Sequence, residues 1–169
     1  MTVSTEPSHA GRKKLMQQVG DYAGYENDEL RLKSDAAIRR HLTAQLVAVL
    51  KQLEQQFQAA EAQDQQRLDA LASGARRKVK TICASLRNPT YEQMNFFDGR
   101  RMSMRELSRI YDLEIDMLEE AEHLRFEVAG LQNVVSRSEF EDRFLHIQNF
   151  VDNFNQSLFE REALIIGDL

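Results

Sequence analysis

Apolar residues recur at intervals of three and four along most of this chain, the period of a single helical face. From Ser34 the stripe runs through Ile38, Leu42, Leu46, Val49, Leu53, Phe57 and Ala60. It continues, thinner, through Leu68, Leu71, Ala75, Val79, Ile82 and Leu86 to Asn88-Pro89. Proline biases its predecessor away from helical dihedrals, so the helix ends there. Ser34 offers an N-cap and Asp35 an acidic first turn. The pattern therefore predicts one very long amphipathic helix over 34–88, about 80 Å if unbroken. Ser73-Gly74 is the expected kink, and the apolar gap from Gln63 to Gln66 is a second weak point.

Two further stripes follow. Ser103 and Glu106 form a capping box, in which the serine side chain satisfies one orphan N–H and the glutamate returns to another. They open a helix over 103–134 carrying Leu107, Ile110, Leu113, Met117, Ala121, Leu124, Val128 and Leu131. Two overlapping boxes, Ser136 with Glu139 and Ser138 with Glu141, precede a helix over 138–164 with Phe140, Phe144, Ile147, Val151, Phe154 and Leu158 on one face. The short connection predicts an antiparallel hairpin. Residues 12–33 read as short helical pieces interrupted by Gly20 and Gly24, and residues 1–11 as a flexible tail before one domain over 12–169.

Punctuation settles the class. A sandwich of strands needs a turn every eight to twelve residues or so, and the stretch from Ser34 to Asn88 holds a single glycine and no proline. The expected fold is all-α: an elongated antiparallel helical bundle of coiled-coil character. With 169 residues the chain can bury a core without staples. Cys83 is the only cysteine, so no internal disulfide or cysteine-based metal motif is available. The polar opening and the lack of a long apolar run lead to the expectation of a cytoplasmic protein.

Helices this unequal cannot cover one another completely. The surplus stripe of a continuous 34–88 helix calls for a second chain, and a homo-oligomer, most simply a dimer, is the expectation. A fold-back of the helix within one chain is the alternative.

The charge is modest overall, −5, but unevenly laid out: residues 67–110 carry net +6 and residues 111–169 net −10. Arg76, Arg77, Lys78, Lys80 and Arg87 crowd the end of the long helix, and Arg100, Arg101, Arg105 and Arg109 surround the connection. On one reading the zone binds an anionic partner, either nucleic acid or an acidic membrane. On the other it faces the acidic C-terminal helices and sets their register. Phosphate binding further requires that the acidic region lie on another face.

Catalytic patterns are scarce. Met104 to Ala121 has the spacing of a helix-turn-helix, but its second half would show Glu114, Asp116, Glu119 and Glu120 to phosphates. Glu120 and His123 match the Glu-x-x-His spacing of carboxylate-bridged metal bundles, yet form only half a site, and a solvated acidic face explains them as well. Cys83 falls on the apolar stripe, as a structural thiol would. No cofactor and no enzymatic role are expected. The expected role is a non-enzymatic scaffold or adaptor that self-associates through its long helix. It would hold a protein partner on the 91–105 connection, through the exposed-looking aromatics Tyr91, Phe96 and Phe97 with Arg100 and Arg101. Arg76, Arg77, Lys78, Lys80 and Arg105 are the candidate anion-binding residues of the alternative.

Overall fold

The computed structural model describes residues 7–59, 62–93, 101–134 and 136–167. The helices are α1 (Pro7–Gln18), α2 (Asp28–Ala59), α3 (Ala62–Arg87), α4 (Met104–Gly130) and α5 (Arg137–Ile166). Short 3₁₀ turns occupy Thr90–Gln93 and Leu131–Asn133. The described residues contain no strand.

The long stripe lies on two helices. Arg76 of α3 stacks its guanidinium 4.7 Å from the Phe57 ring of α2 and pairs with Glu54 at 3.6 Å. Near the other end Arg39 of α2 donates to the Leu86 carbonyl at 3.0 Å. These contacts make α2 and α3 antiparallel. The expected single helix over 34–88 is thus corrected to a hairpin whose arms end and begin at Ala59 and Ala62. The reversal falls beside the Gln63 to Gln66 gap, where no apolar side chain rewards continuing the helix. Gly74 sits inside α3.

α4 and α5 form the expected antiparallel hairpin, tied by Arg143 to Glu127, Asn153 to Glu120 and Arg161 to Glu114. The Ser103 box is complete: Glu106 N–H donates to Ser103 Oγ at 3.2 Å and Ser103 N–H to Glu106 Oε2 at 2.7 Å. Of the two candidate boxes before α5, Ser136 is the N-cap, accepting from Glu139 N–H at 3.2 Å.

The hairpins pack with α2 on α4 and α3 on α5, a closed ring in the order α2, α3, α5, α4. The groove between α2 and α4 is lined by His41 with Leu118 at one level and by Gln52 with Ala129 farther on, so these helices are parallel. By elimination α3 and α5 are parallel too, and α3 and α4 occupy opposite corners. The end of α3 and the start of α4 therefore lie at opposite corners of the same end of the bundle. Between the four helices lie Ile38, Leu46, Val79, Ile82, Met117, Leu124, Val151 and Phe154, all buried.

α1 lies against the outside of α4, with Leu15 and Val19 buried and Lys14 paired to Glu119. It begins at Pro7, so residues 7–11, read as tail from the sequence, enter a helix. A β-carbon at Gly11 would stand 3.1 Å from Tyr111 Cβ, so a larger residue there would require α1 and α4 to give by a few tenths of an ångström. The helix after it starts at Asp28 rather than at Ser34, with Asn27 Oδ1 accepting from Glu29 N–H. Ser34 and Asp35 are therefore inside α2, and both are fully buried.

Candidate functional site

Two concentrations of charge remain after the fold is built, one sealed inside the bundle and one displayed on α3.

The sealed one is centred on Arg161 of α5, which stands on the apolar stripe between Leu158 and Ile165 and is 1% exposed. Its Nε donates to Glu114 Oε1 at 2.8 Å, Nη1 to the Tyr91 hydroxyl at 3.0 Å, and Nη2 to the Tyr25 hydroxyl at 2.8 Å and Asp35 Oδ1 at 2.7 Å. Asp35 also accepts from Arg39 at 2.8 Å and from the Tyr91 hydroxyl at 2.8 Å. Glu114, fully buried, accepts from the hydroxyls of Tyr22 and Tyr25. Tyr111 accepts from Tyr25 N–H at 2.8 Å, donates to Glu26 at 2.8 Å and stacks on Tyr25.

Two cations, Arg39 and Arg161, thus balance two carboxylates, Asp35 and Glu114, and all four tyrosines of the chain converge here. Burial raises the Glu114 carboxyl, against the pull of Arg161 and the two phenols. Burial alone would lower the Arg161 guanidinium, but the phenols of Tyr25 and Tyr91 and the carboxylates of Glu114 and Asp35 outweigh it and keep it charged. Desolvation, with the neighbouring carboxylates, holds all four phenols well above their ordinary range. Such a cluster is closed to substrate. Each hydrogen-bonding atom is matched within the protein, and the arrangement ties α2, α4, α5, the Tyr22–Tyr25 segment and the 3₁₀ turn at Tyr91 to one another.

The sequence reading missed this cluster and misplaced two of its members. Tyr91, expected as an exposed partner contact, is fully buried, and Glu114, which the helix-turn-helix spacing would have shown to phosphates, is fully buried as well. The available signal was positional: Arg161 and Glu114 fall three and four residues from apolar stripe members on either side.

The displayed concentration is on α3. The basic zone divides there by partner. Lys78 is paired with Asp152 of α5, Arg109 with Glu160, and Arg76 with Asp69 and Glu54. In this part the acidic C-terminal helix does meet the basic zone. Arg77, Lys80 and Arg87 are exposed and have no ion pair among the described residues. With Ser73 and Ala84 they follow the 73, 77, 80, 84, 87 spacing of one helical face. Ala72, Ala75, Val79, Ile82 and Leu86 occupy the opposite, buried side. The face is shallow, since Ser73, Thr81 and Ala84 between the cations are small. Arg101 and Arg105 are exposed as well, while Phe96, Phe97 and Arg100 lie outside the described residues.

The remaining candidates have local partners. The His123 ring packs 5.1 Å from that of Phe150, and Glu120 accepts from Asn153 at 3.3 Å. Among the described residues no three histidine, cysteine or carboxylate side chains converge as metal ligands would. Cys83 is buried, and desolvation pushes its thiol up. No described helix is long and apolar enough to cross a membrane. Comparison of the chain with protein-family models, curated proteins and solved structures returns no match.

Proposed function

We propose that this protein is a non-enzymatic helical scaffold that docks on a polyanionic partner through the outer face of α3. The observation that carries the reading is the row of Arg77, Lys80 and Arg87, exposed and without ion pairs among the described residues, at the corner opposite α4. α3 has six basic and two acidic residues, and α4, with three basic and eight acidic, stands at the opposite corner, so the surface acids of α4 project away from this face. The fold-back supports the same emphasis. The apolar stripe that would otherwise demand a second chain is covered by the protein's own α2–α3 hairpin, while Arg77, Lys80 and Arg87 stay without an ion pair among the described residues.

Chromatography on immobilised heparin, a general polyanion, tests the reading. Despite a net charge of −5, the protein is expected to be retained at low salt and to elute as salt rises, because each contact releases condensed counterions. The Arg77→Glu/Lys80→Glu variant is expected in the flow-through with unchanged helicity. A wild-type protein that runs through at low salt overturns the proposal.

A further inference from the structure

The pair between Arg76 and Glu54 sets the angles at which α3 and α2 meet solvent. Successive helical residues turn by about 100°, so Lys80 and Arg87 stand about 40° and 20° from Arg76, on the side of α3 turned toward α2, and Arg77 stands at its outer edge. On α2, Val47, Arg40 and Lys51 stand about 20°, 40° and 60° from Glu54, each step leading away from the buried stripe. The levels follow from the hairpin. Contacts of Arg39 with the Leu86 carbonyl and of Arg76 with Glu54 bring Arg40 level with Arg87, Val47 with Lys80 and Lys51 with Arg77.

The joint α2–α3 face therefore carries two cation banks, Arg40 and Lys51 on one helix and Arg77, Lys80 and Arg87 on the other. All five are exposed, and none has an ion pair among the described residues. No acidic residue occurs from Arg40 to Lys51 or from Arg77 to Arg87, and the border acids Glu54 and Asp69 are both held by Arg76. Between the banks the floor is low, since Thr43, Val47 and Ala84 have short side chains.

We infer that this face binds the phosphate backbones of a nucleic-acid duplex, one bank to each strand, without reading sequence. The inference rests on the polyanion reading above, extends its surface to α2 and specifies its partner. Packed helices stand about 8–10 Å apart, which is the scale on which two strands flank a groove about 6–12 Å wide. The end rungs are about 16 Å apart by helical rise, a length over which a duplex presents roughly nine phosphates to the five cations. The short floor side chains do not reach base edges, so contact stays with the backbones. A single strand is held by rings on which its bases stack, and the described face offers none, because the nearby Phe57 ring is covered by Arg76. A membrane takes apolar side chains into its acyl boundary. Here Val47, 41% exposed, is shorter than the cations around it, and Leu32 lies about two turns beyond Arg40, past the end of α3.

Fluorescence anisotropy with the full chain and a labelled duplex of about 20 base pairs, titrated across salt, tests this. Expected is binding indifferent to base sequence, with log K falling against log salt at a slope of about −3 to −4.5 for the five cations. Arg40→Ala and Lys51→Ala, at exposed α2 positions, should each flatten the slope by about 1 and lower affinity roughly fivefold near ~0.15 M salt, with helical circular dichroism unchanged. Arg125→Ala, at an exposed position on α4, should change neither. Duplex binding unaffected by the two α2 substitutions overturns the inference. So does heparin retention without duplex binding, tighter binding to a single strand of the same length, or binding to phosphatidylserine vesicles in place of the duplex, although the polyanion reading then survives. Failure to bind heparin and duplex alike removes both.

Discussion

A buried arginine is the most consequential single residue in this chain. Ion pairs at the surface contribute about 0–1 kcal/mol, whereas removing one partner of a desolvated pair strands a charge and costs about 3–5 kcal/mol. Arg161→Met keeps much of the side-chain volume and deletes the charge. Asp35 still has Arg39, so the group left without a cation is Glu114. Urea unfolding should show a loss of about 3–5 kcal/mol, with part of it recovered in the Glu114→Gln/Arg161→Met double variant, which removes the stranded carboxylate. A single variant as stable as wild type would show that Arg161 does not hold Glu114. The residue was readable in one respect only. Its place on the Leu158–Ile165 stripe marked it as inward-facing, but nothing local names the partners, which lie 47 residues away at Glu114 and 126 away at Asp35. Likewise Tyr91, between Pro89 and a polar stretch, has the sequence surroundings of an exposed aromatic. Its burial follows from the seat of the Thr90–Gln93 turn against Asp35 of α2 and Arg161 of α5, a property of the topology.

Helices were legible where the signal is local: the stripes, the Ser103 and Ser136 caps and the α4–α5 hairpin all follow from side chains within a few residues of one another. The α2–α3 reversal was less so, because a three-four stripe has the same period whether the helix continues or turns back on itself. Composition offered two break points, and the fold selected the polar one: α3 runs through Gly74, where an added β-carbon meets nothing within 4 Å. This makes Gly74→Ala diagnostic. In a helix interior the change relieves the conformational cost of glycine and should raise stability by about 1 kcal/mol in urea or thermal unfolding. Were Gly74 a hinge on which the hairpin depends, alanine would lower stability instead. The basic row on α3 was legible as a cluster but not as a face. Which cations stay open is decided by Asp152, Asp69 and Glu54, and each of the first and last reaches α3 from another helix.

For the whole molecule, apolar stripes alone leave the arrangement of two hairpins underdetermined, since the same faces could pack with the hairpins exchanged in hand. The sealed cluster removes that freedom, because Arg161 is satisfied only when α2, α4, α5 and the Tyr91 turn meet at one end. The same device makes the fold sensitive to alkali. All four tyrosines belong to the cluster, each with its phenol raised above the ordinary value, chiefly by desolvation. In the unfolded chain they ionise near pH 10, and in the folded chain they stay protonated well above it. A raised folded pKa contributes stability that is complete below the unfolded value and is lost as pH climbs past it toward the folded one. Each phenol then favours unfolding by about 1.4 kcal/mol per pH unit, and the set together by about 5–6. Against an ordinary domain stability of about 5–15 kcal/mol, unfolding should set in within roughly one to three pH units above 10. The chain has no tryptophan, so tyrosinate absorbance reports these groups without interference. It should stay flat past the ordinary phenol range and then rise in one step, coincident with loss of helical circular dichroism. A gradual titration near pH 10 in a still-helical protein would mean that the phenols reach solvent and that the cluster is open.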